Sequence, residues 1–471
     1  MKHSTIFIDP VTRIEGHASV RIDLDKEGNV ISAKFSVNEL RGIEKILEGT
    51  KVLEAPSITA RICGVCPAAH HLVSAKTLDR IYDIEPTDAA KIIRELMYMG
   101  HIIHSHTMSL FFLSGPDLFM GLDAEPEIRN IVGMSKQYRE IVNMAVELRS
   151  LGQKILEHLG ARGVHPVTAT VGGVSFVMDA NLREKILEYT NRALQLTLDF
   201  ATPLIKEKLF ELMNKYPDIH KHTELKTHYV GTVNNGKLNF YEGMIRVMDT
   251  EGNITCEFDS NEYDKYIIEE AVKWSYSKPT FLKTTHGKVI YRVNTLARIN
   301  VADEMETPKA NQELEVFRKK YGRPCHYTLM HHYARLIELI YACEKAIFLI
   351  KDDRIMGESR KIVKKSPKNA IAHIEAPRGT LIHDYTVNEN GVIEKANLII
   401  ATQQNFFAIN ETIKQCATYF LKNSPDSLMN AVEFLIRTYD PCLSCSTHAY
   451  GKSPFFIDIY QNNKLLKRIQ D

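Results

Sequence analysis

Two Cys-x-x-Cys pairs constrain this chain more than any other feature. "RICGVC" at 61–66 and "DPCLSCSTH" at 440–448 lie most of the polypeptide apart, and a histidine follows each pair three or four residues on. Two thiolates with two residues between them reach one metal ion from a single turn of backbone, and two such pairs supply four sulfur ligands. A shared ion would require the fold to bring distant ends of the sequence together. The other four cysteines, Cys256, Cys325, Cys343 and Cys416, are isolated, and eight in 471 residues are too few for a disulfide scaffold. On the cysteines alone two readings stay open, a structural zinc site and a four-iron four-sulfur cluster. Structural zinc sites usually draw both pairs from one small local module, which these pairs do not form.

The rest of the sequence is that of an ordinary globular protein, 44% hydrophobic and 25% charged, long enough for two or more packed regions. Its 59 basic and 58 acidic side chains are evenly mixed and leave a net charge of +1, which gives no surface suited to nucleic acid or lipid. The opening "MKHSTIFIDPVTRIEGH" lacks the apolar centre of an export signal, although a partner could carry one. The most apolar stretch, "ARLIELIYACEKAIFLIKDD", is interrupted by Glu338, Glu344 and Lys345, so no membrane span is expected and a cytoplasmic location is.

Periodicity predicts an α+β, mainly helical protein: a central helical bundle with small peripheral antiparallel β segments. "ASVRIDLDKEGNVISAKFSV" alternates apolar and polar residues around a "KEGN" turn and reads as a hairpin. Helical spacing then holds through "DAAKIIRELMYMGHIIHSHTMSLFF", "SKQYREIVNMAVELRSLGQKILEHLG" and "ANLREKILEYTNRALQLTLDFATPLIKEKLFELMNKY". No repeat or linker interrupts the chain. The expectation is one domain over 1–471: a β-rich part at 1–50, a helical core at 51–224 and 304–448, β-rich insertions at 225–303 and 365–402, and a tail at 449–471.

What surrounds the cysteines is more specific than the pairs themselves. In order stand "DPVTRIEGH" (9–17), "RGIE" (41–44), "RICGVCPAAHH", "SGPD" (114–117), "HPVTATVGGVS" (165–175), "EAPRG" (375–379) and "DPCLSCSTH". In this series, from about residue 8 to 448, the chain resembles the large, catalytic subunit of nickel-iron hydrogenases. It looks most like the cytoplasmic methanogen branch, the methyl-viologen-reducing enzymes that do not reduce the deazaflavin coenzyme and feed heterodisulfide reductase.

The resemblance implies reversible heterolytic cleavage of dihydrogen and a defined site. Cys63, Cys66, Cys442 and Cys445 would hold nickel, with Cys66 and Cys445 also bridging to an iron that carries carbon monoxide and cyanide. Cys442 would be the base nearest the gas, and Glu15 would receive its proton. Spacing alone reads Glu15 as a partner of Arg13 or another cation. Arg378 would sit over the open coordination position, where an arbitrary arginine would be a surface ion pair. Asp117 and Asp440 would support the site by hydrogen bonding and Pro377 would shape its cavity, Asp440 having a local alternative as the turn residue that ends a helix before Pro441. His70 would donate a hydrogen bond to a bridging sulfur. Glu44 and His448 would bind a separate magnesium or iron ion. His101, His104 and His106 read as satisfied core or interface histidines.

The four isolated cysteines have no ferredoxin-like spacing, so electrons must leave through another polypeptide. No G-x-G-x-x-G follows an expected strand, so a nicotinamide or flavin must bind elsewhere. The implied partners are an iron-sulfur small subunit, heterodisulfide reductase with a further electron-transfer subunit, and maturation proteins. A carboxy-terminal endopeptidase would cut after His448 unless the tail is retained. The competing classes are a zinc-stabilised scaffold and a non-catalytic relative of the quinone-reductase type.

Overall fold

The computed structural model describes residues 5–40 and 42–447, together with the backbone of two strands at 456–461 and 464–470. The periodic apolar stretches become helices: α1 (Pro67–Ile81), α2 (Asp88–Thr107), α3 (Arg139–Gly160), α4 (Ala180–Leu196), α5 (Thr202–Lys215), α6 (Pro308–Tyr321), α7 (His331–Lys351), α8 (Phe406–Asn423) and α9 (Leu428–Tyr439). Of these, α7 is buried on nearly every face and α2, α4 and α6 pack around it. A helix apolar all round belongs at the centre of a bundle, and the buried Arg335, Glu338 and Glu344 on α7 must find partners inside it.

Helices α2 and α3 approach closely because each offers a glycine at the crossing. A Cβ on Gly152 would lie 2.6 Å from the Gly100 carbonyl oxygen and 2.6 Å from the His104 amide nitrogen. Gly152→Ala therefore forces the two backbones apart, and the expected loss is about 1–3 kcal/mol, read as a lowered denaturation midpoint. An unchanged midpoint would mean that the crossing tolerates the displacement.

The helical stretches that sequence reads as continuous break in two places. After Thr107 the backbone widens to a π turn over Met108–Leu113, and after Leu196 it does so over Thr197–Ala201. A proline follows each, Pro116 and Pro203, whose ring would meet the carbonyl four residues back in a regular α-helix; the wider turn relieves that clash.

The first sheet is β1 (Thr5–Ile8), β2 (Ala18–Leu24) and β3 (Val30–Val37), all antiparallel, with the expected turn between β2 and β3. Its buried face carries Ala18, Val20, Ile22 and Phe35 and packs on α8, where Asn410 Oδ1 accepts the Phe35 amide at 2.8 Å. A six-stranded sheet is centred on β4 (His228–Asn234), β5 (Met244–Met248) and β6 (Ile254–Phe258). It is mixed, since Tyr291–Arg292 and Glu304–Met305 join it by parallel pairing. The segment expected to be a β-rich insertion at 225–303 also contains a buried helix, Thr295–Val301.

A third sheet, β7 (Ala370–Ala376), β8 (Gly379–Val387) and β9 (Ile393–Ile399), is an antiparallel meander lying against α1. Ala376 pairs with Gly379, so the two residues at the tip of the β7–β8 hairpin are Pro377 and Arg378. Gly379 has a φ of +129° and its missing Cβ leaves room for Val293, which locks the tip inward. In the tail, β10 (Phe456–Gln461) and β11 (Lys464–Gln470) form an antiparallel pair.

Candidate metal centre

The two Cys pairs meet. Cys63 ends a short 3-10 turn in extended conformation, and Cys66 stands just before α1 with Pro67 as the first helical residue. On the other side α9 stops at Asp440, whose left-handed conformation (φ 52°) an aspartate tolerates, Pro441 forbids continuation, and Cys442 and Cys445 bracket the next turn. Sulfur–sulfur distances are 3.1 Å for Cys63–Cys442 and Cys66–Cys445, 3.0 Å for Cys442–Cys445 and 3.8 Å for Cys66–Cys442. All four are buried, and the four sulfurs lie within 4.8 Å of one another. Contacts from the other three thiols hold Cys63 well below the ordinary thiol range, whereas burial first and thiol contacts second push Cys442 well above it. Four soft donors that cannot all ionise together without a cation suit a thiophilic metal.

Beside Cys66 and Cys445 opens a small cavity of about 10 Å³, lined by Pro377, Leu381, Ile400, Ala401 and Thr402 with Arg378 as its one guanidinium. Arg378 is held from behind: its Nε donates to the Asp440 carbonyl at 2.6 Å and Nη2 to Asp440 Oδ1 at 3.0 Å, while Nη1 has no partner among the described residues. Burial opposes this charge, but Asp440 and the adjacent sulfurs outweigh it and keep the guanidinium ionised. Asp440 thus serves both as the turn that ends α9 and as the acceptor that orients Arg378.

Glu15 faces the sulfurs. The Cys442 thiol donates to its Oε2 at 3.1 Å, the Ser444 amide donates to the same oxygen at 3.0 Å, and the Ser444 hydroxyl donates to Oε1. Burial raises the Glu15 carboxyl, negative charge at Cys63 adds to that, and the hydrogen bonds partly offset both. Arg13, the partner that spacing suggested, instead binds Asp117 at 2.6 Å. Asp117 also takes Arg437 at 2.9 Å and lies 3.5 Å from Arg129, so its carboxylate is spent on arginines and does not reach the sulfur cluster. Its effect is indirect: with Arg437, which also donates to the Thr12 carbonyl, it pins the loop that presents Glu15. Gly16, with a φ of +83°, lets that loop close on Leu443.

A family model described as nickel-dependent hydrogenase matches residues 41–127 and 122–448. The chain belongs to this family. A model described as HoxL-like matches residues 5–40. The chain is 37% identical over 473 residues to a subunit of the F420-non-reducing hydrogenase vhc of Methanococcus voltae, covering 98% of this chain and 99% of that one. It is 34% identical over 486 residues to the beta subunit of the NAD-reducing hydrogenase HoxS of Cupriavidus necator, covering 97% of each. A solved NAD+-reducing NiFe hydrogenase in its H2-reduced state superposes with a TM-score of 0.89 at 33% identity, over 94% of this chain and 99% of that one. The chain is a hydrogenase large subunit, an oxidoreductase acting on dihydrogen.

In this hydrogenase His70 Nε2 lies 3.4 Å from Cys445 Sγ, and burial lowers the imidazole to about 4, so it is neutral at ordinary pH. The α2 histidines differ from expectation. His106 Nε2 meets Glu338 at 2.8 Å, but neither His101 nitrogen has a hydrogen-bond partner among the described residues, so it is not the satisfied core residue that its setting suggested. Glu44 is buried in the first turn of Ile43–Leu47, and His448 lies outside the described residues. The isolated cysteines Cys325, Cys343 and Cys416 are buried and Cys256 is half-buried, all free thiols.

Sequence reasoning missed Ser444, which binds Glu15, and Thr402, whose hydroxyl accepts the Cys442 amide at 2.9 Å. Ser444 sits inside the second pair, where a hydroxyl between two ligands is a usable signal. Thr402 carries none. No helix among the described residues is long and apolar enough to cross a membrane.

Proposed function

We propose that Cys63, Cys66, Cys442 and Cys445 hold a nickel-iron centre with Glu15, Arg378, Asp440 and His70 as its working surroundings, and that this subunit passes electrons to an iron-sulfur small subunit. The observation that carries this reading is the carboxylate of Glu15 on Cys442, together with the Arg378 guanidinium at a small cavity that Cys66, Cys442 and Cys445 also line. A zinc scaffold accounts for the four thiols but gives no role to either feature.

The centre, when bound, supplies heterolytic cleavage of dihydrogen. Glu15 takes the proton from Cys442 Sγ over the 3.1 Å contact, and its raised affinity for protons suits it to accept one and release it outward. Arg378 holds a fixed positive charge at the cavity, where the remaining iron ligands would be diatomic and no further protein donor is needed. Asp440 orients that guanidinium, and His70 supports the Cys445 sulfur. Pro377 keeps the cavity wall free of amide hydrogen.

Several finer assignments rest on the resemblance alone. These are heterodisulfide reductase as the eventual acceptor, maturation proteins as the source of the diatomic ligands, a cytoplasmic location, and magnesium or iron bound by Glu44 with His448. The lack of cluster spacing at the isolated cysteines supports an external electron path.

The test is metal analysis of anaerobically purified complex, paired with infrared spectra in the cyanide and carbon monoxide region. Stoichiometric nickel with those bands is the expected result. Zinc in place of nickel, without the bands, would return the pairs to a structural role.

A further inference from the structure

The backbone that enters the buried helix Thr295–Val301 bends sharply at Asn294, with φ 88° and ψ −176°. Among the described residues the other six non-glycine residues with positive φ lie between 45° and 62°, the φ range of the left-handed well that a side chain can occupy. Asn294 lies outside that well, in a region almost confined to glycine, and such strain persists only where the surroundings over-determine it. Helix capping does not account for it. The Asn294 side-chain oxygen accepts the amide of Thr295, the first helical residue, at 2.6 Å, whereas a capping side chain reaches the second or third.

Two other contacts hold the bend. Asn294 Nδ2 donates to the Tyr439 carbonyl at 2.6 Å, and a Cβ on Gly379 would stand only 2.8 Å from the Asn294 backbone nitrogen. Tyr439 precedes Asp440, and Gly379 follows Arg378. Because Arg378 Nε donates to the Asp440 carbonyl and Nη2 to its carboxylate, these contacts close a ring that runs from Arg378 through Gly379, Asn294, Tyr439 and Asp440 back to Arg378. Asn294 is fully buried, and both flanks of its backbone are fixed: Asn405 Oδ1 accepts the Val293 amide at 2.9 Å, and the Asn294 carbonyl accepts the Arg298 amide at 3.0 Å. A glycine would take this bend without strain but would leave the Tyr439 carbonyl without the amide.

We propose that Asn294 is a positioning residue for Arg378: its backbone seats the β7–β8 hairpin tip and its amide ties the end of α9, so that it sets the span across which Arg378 reaches Asp440. This rests on the reading of the four cysteines as a nickel-iron centre with Arg378 at its cavity. The strained bend is the means, because it brings one residue against both neighbours of the Arg378–Asp440 pair at once. Nη1 of Arg378, without a partner among the described residues, is then the donor left for a diatomic ligand or gas at the cavity.

The experiment compares Asn294→Gly and Asn294→Ala with wild type in the assembled complex, by denaturation midpoint, nickel content, infrared spectrum and dihydrogen-dependent dye reduction. Both variants lose the tie to Tyr439, but glycine adopts the bend freely while alanine keeps a Cβ in it, so the alanine midpoint is expected to fall below that of the glycine variant. The reverse order would overturn the strained bend as the device. Asn294→Gly is expected to keep its nickel and its cyanide and carbon monoxide bands, with the cyanide bands shifted and dye reduction lowered about 10- to 100-fold. Wild-type band positions and rate in that variant would overturn the proposal and leave the metal reading intact. Loss of nickel and of the bands in Asn294→Gly would also overturn it, assigning Asn294 to assembly. Absence of the bands in the wild-type complex would instead overturn the metal reading.

Discussion

Glu15→Gln is expected to lower dihydrogen oxidation by about 10²–10⁴-fold while leaving nickel content and the diatomic infrared bands in place. Glutamine keeps an oxygen for the Ser444 amide and can donate from its NH2 to the Ser444 hydroxyl oxygen, so the loop at 12–16 stays seated; what it loses is the ability to take a proton from Cys442. The loop is also secured independently of residue 15, since Thr12 binds Glu433 and Arg437 and Arg13 binds Asp117. Dihydrogen-dependent dye reduction measured beside metal content separates chemistry from assembly. Glu15→Asp, with a carboxyl one methylene further from Cys442, should recover part of the rate. Wild-type turnover in Glu15→Gln would sink the assignment of Glu15 as proton acceptor.

The largest expected effect on stability comes from Arg298. Its guanidinium is fully buried and forked onto Glu338 at 2.7 Å through Nε and Nη2, and Nη1 reaches Glu375 at 3.0 Å. The same group donates to the Ala376 and Pro377 carbonyls, both at 2.9 Å, immediately before Arg378. Arg298→Met leaves buried carboxylates unpaired, and removal of one partner from such a set costs about 3–5 kcal/mol. It also releases the hairpin tip that carries Arg378, so nickel occupancy should fall with the denaturation midpoint. Arg298→Lys keeps the charge but cannot reproduce the fork, and its loss should be intermediate. A small shift in the methionine variant would mean that the carboxylates protonate or rearrange without penalty.

The four clustered cysteines were legible because metal-ligand spacing is local: two residues between thiols can be read without knowing the fold. Glu15, Arg378 and Asp440 carry no such spacing and were legible only through the motif series around them. The helices were legible where apolar residues recur at three and four, as along α2 and α3. The π turns were not, because the apolar period runs on through Pro203 inside one stretch and stops short of Pro116 in the other, so neither break shows in it. The arginine partners of Asp117 were not legible, because they come from sites as distant as residues 13 and 437, which no window spans.

The sulfur cluster also sets a schedule. Cys63 and Cys442 touch across 379 residues of chain, so during synthesis the first pair of thiols is complete long before its counterparts exist. At roughly 5–20 residues per second that interval is on the order of 20–75 s. Throughout it, the two adjacent thiols stand without the partners that enclose them in the finished fold. The four-sulfur cluster therefore closes only near the end of translation, when Cys442 and Cys445 fold back onto the start of α1.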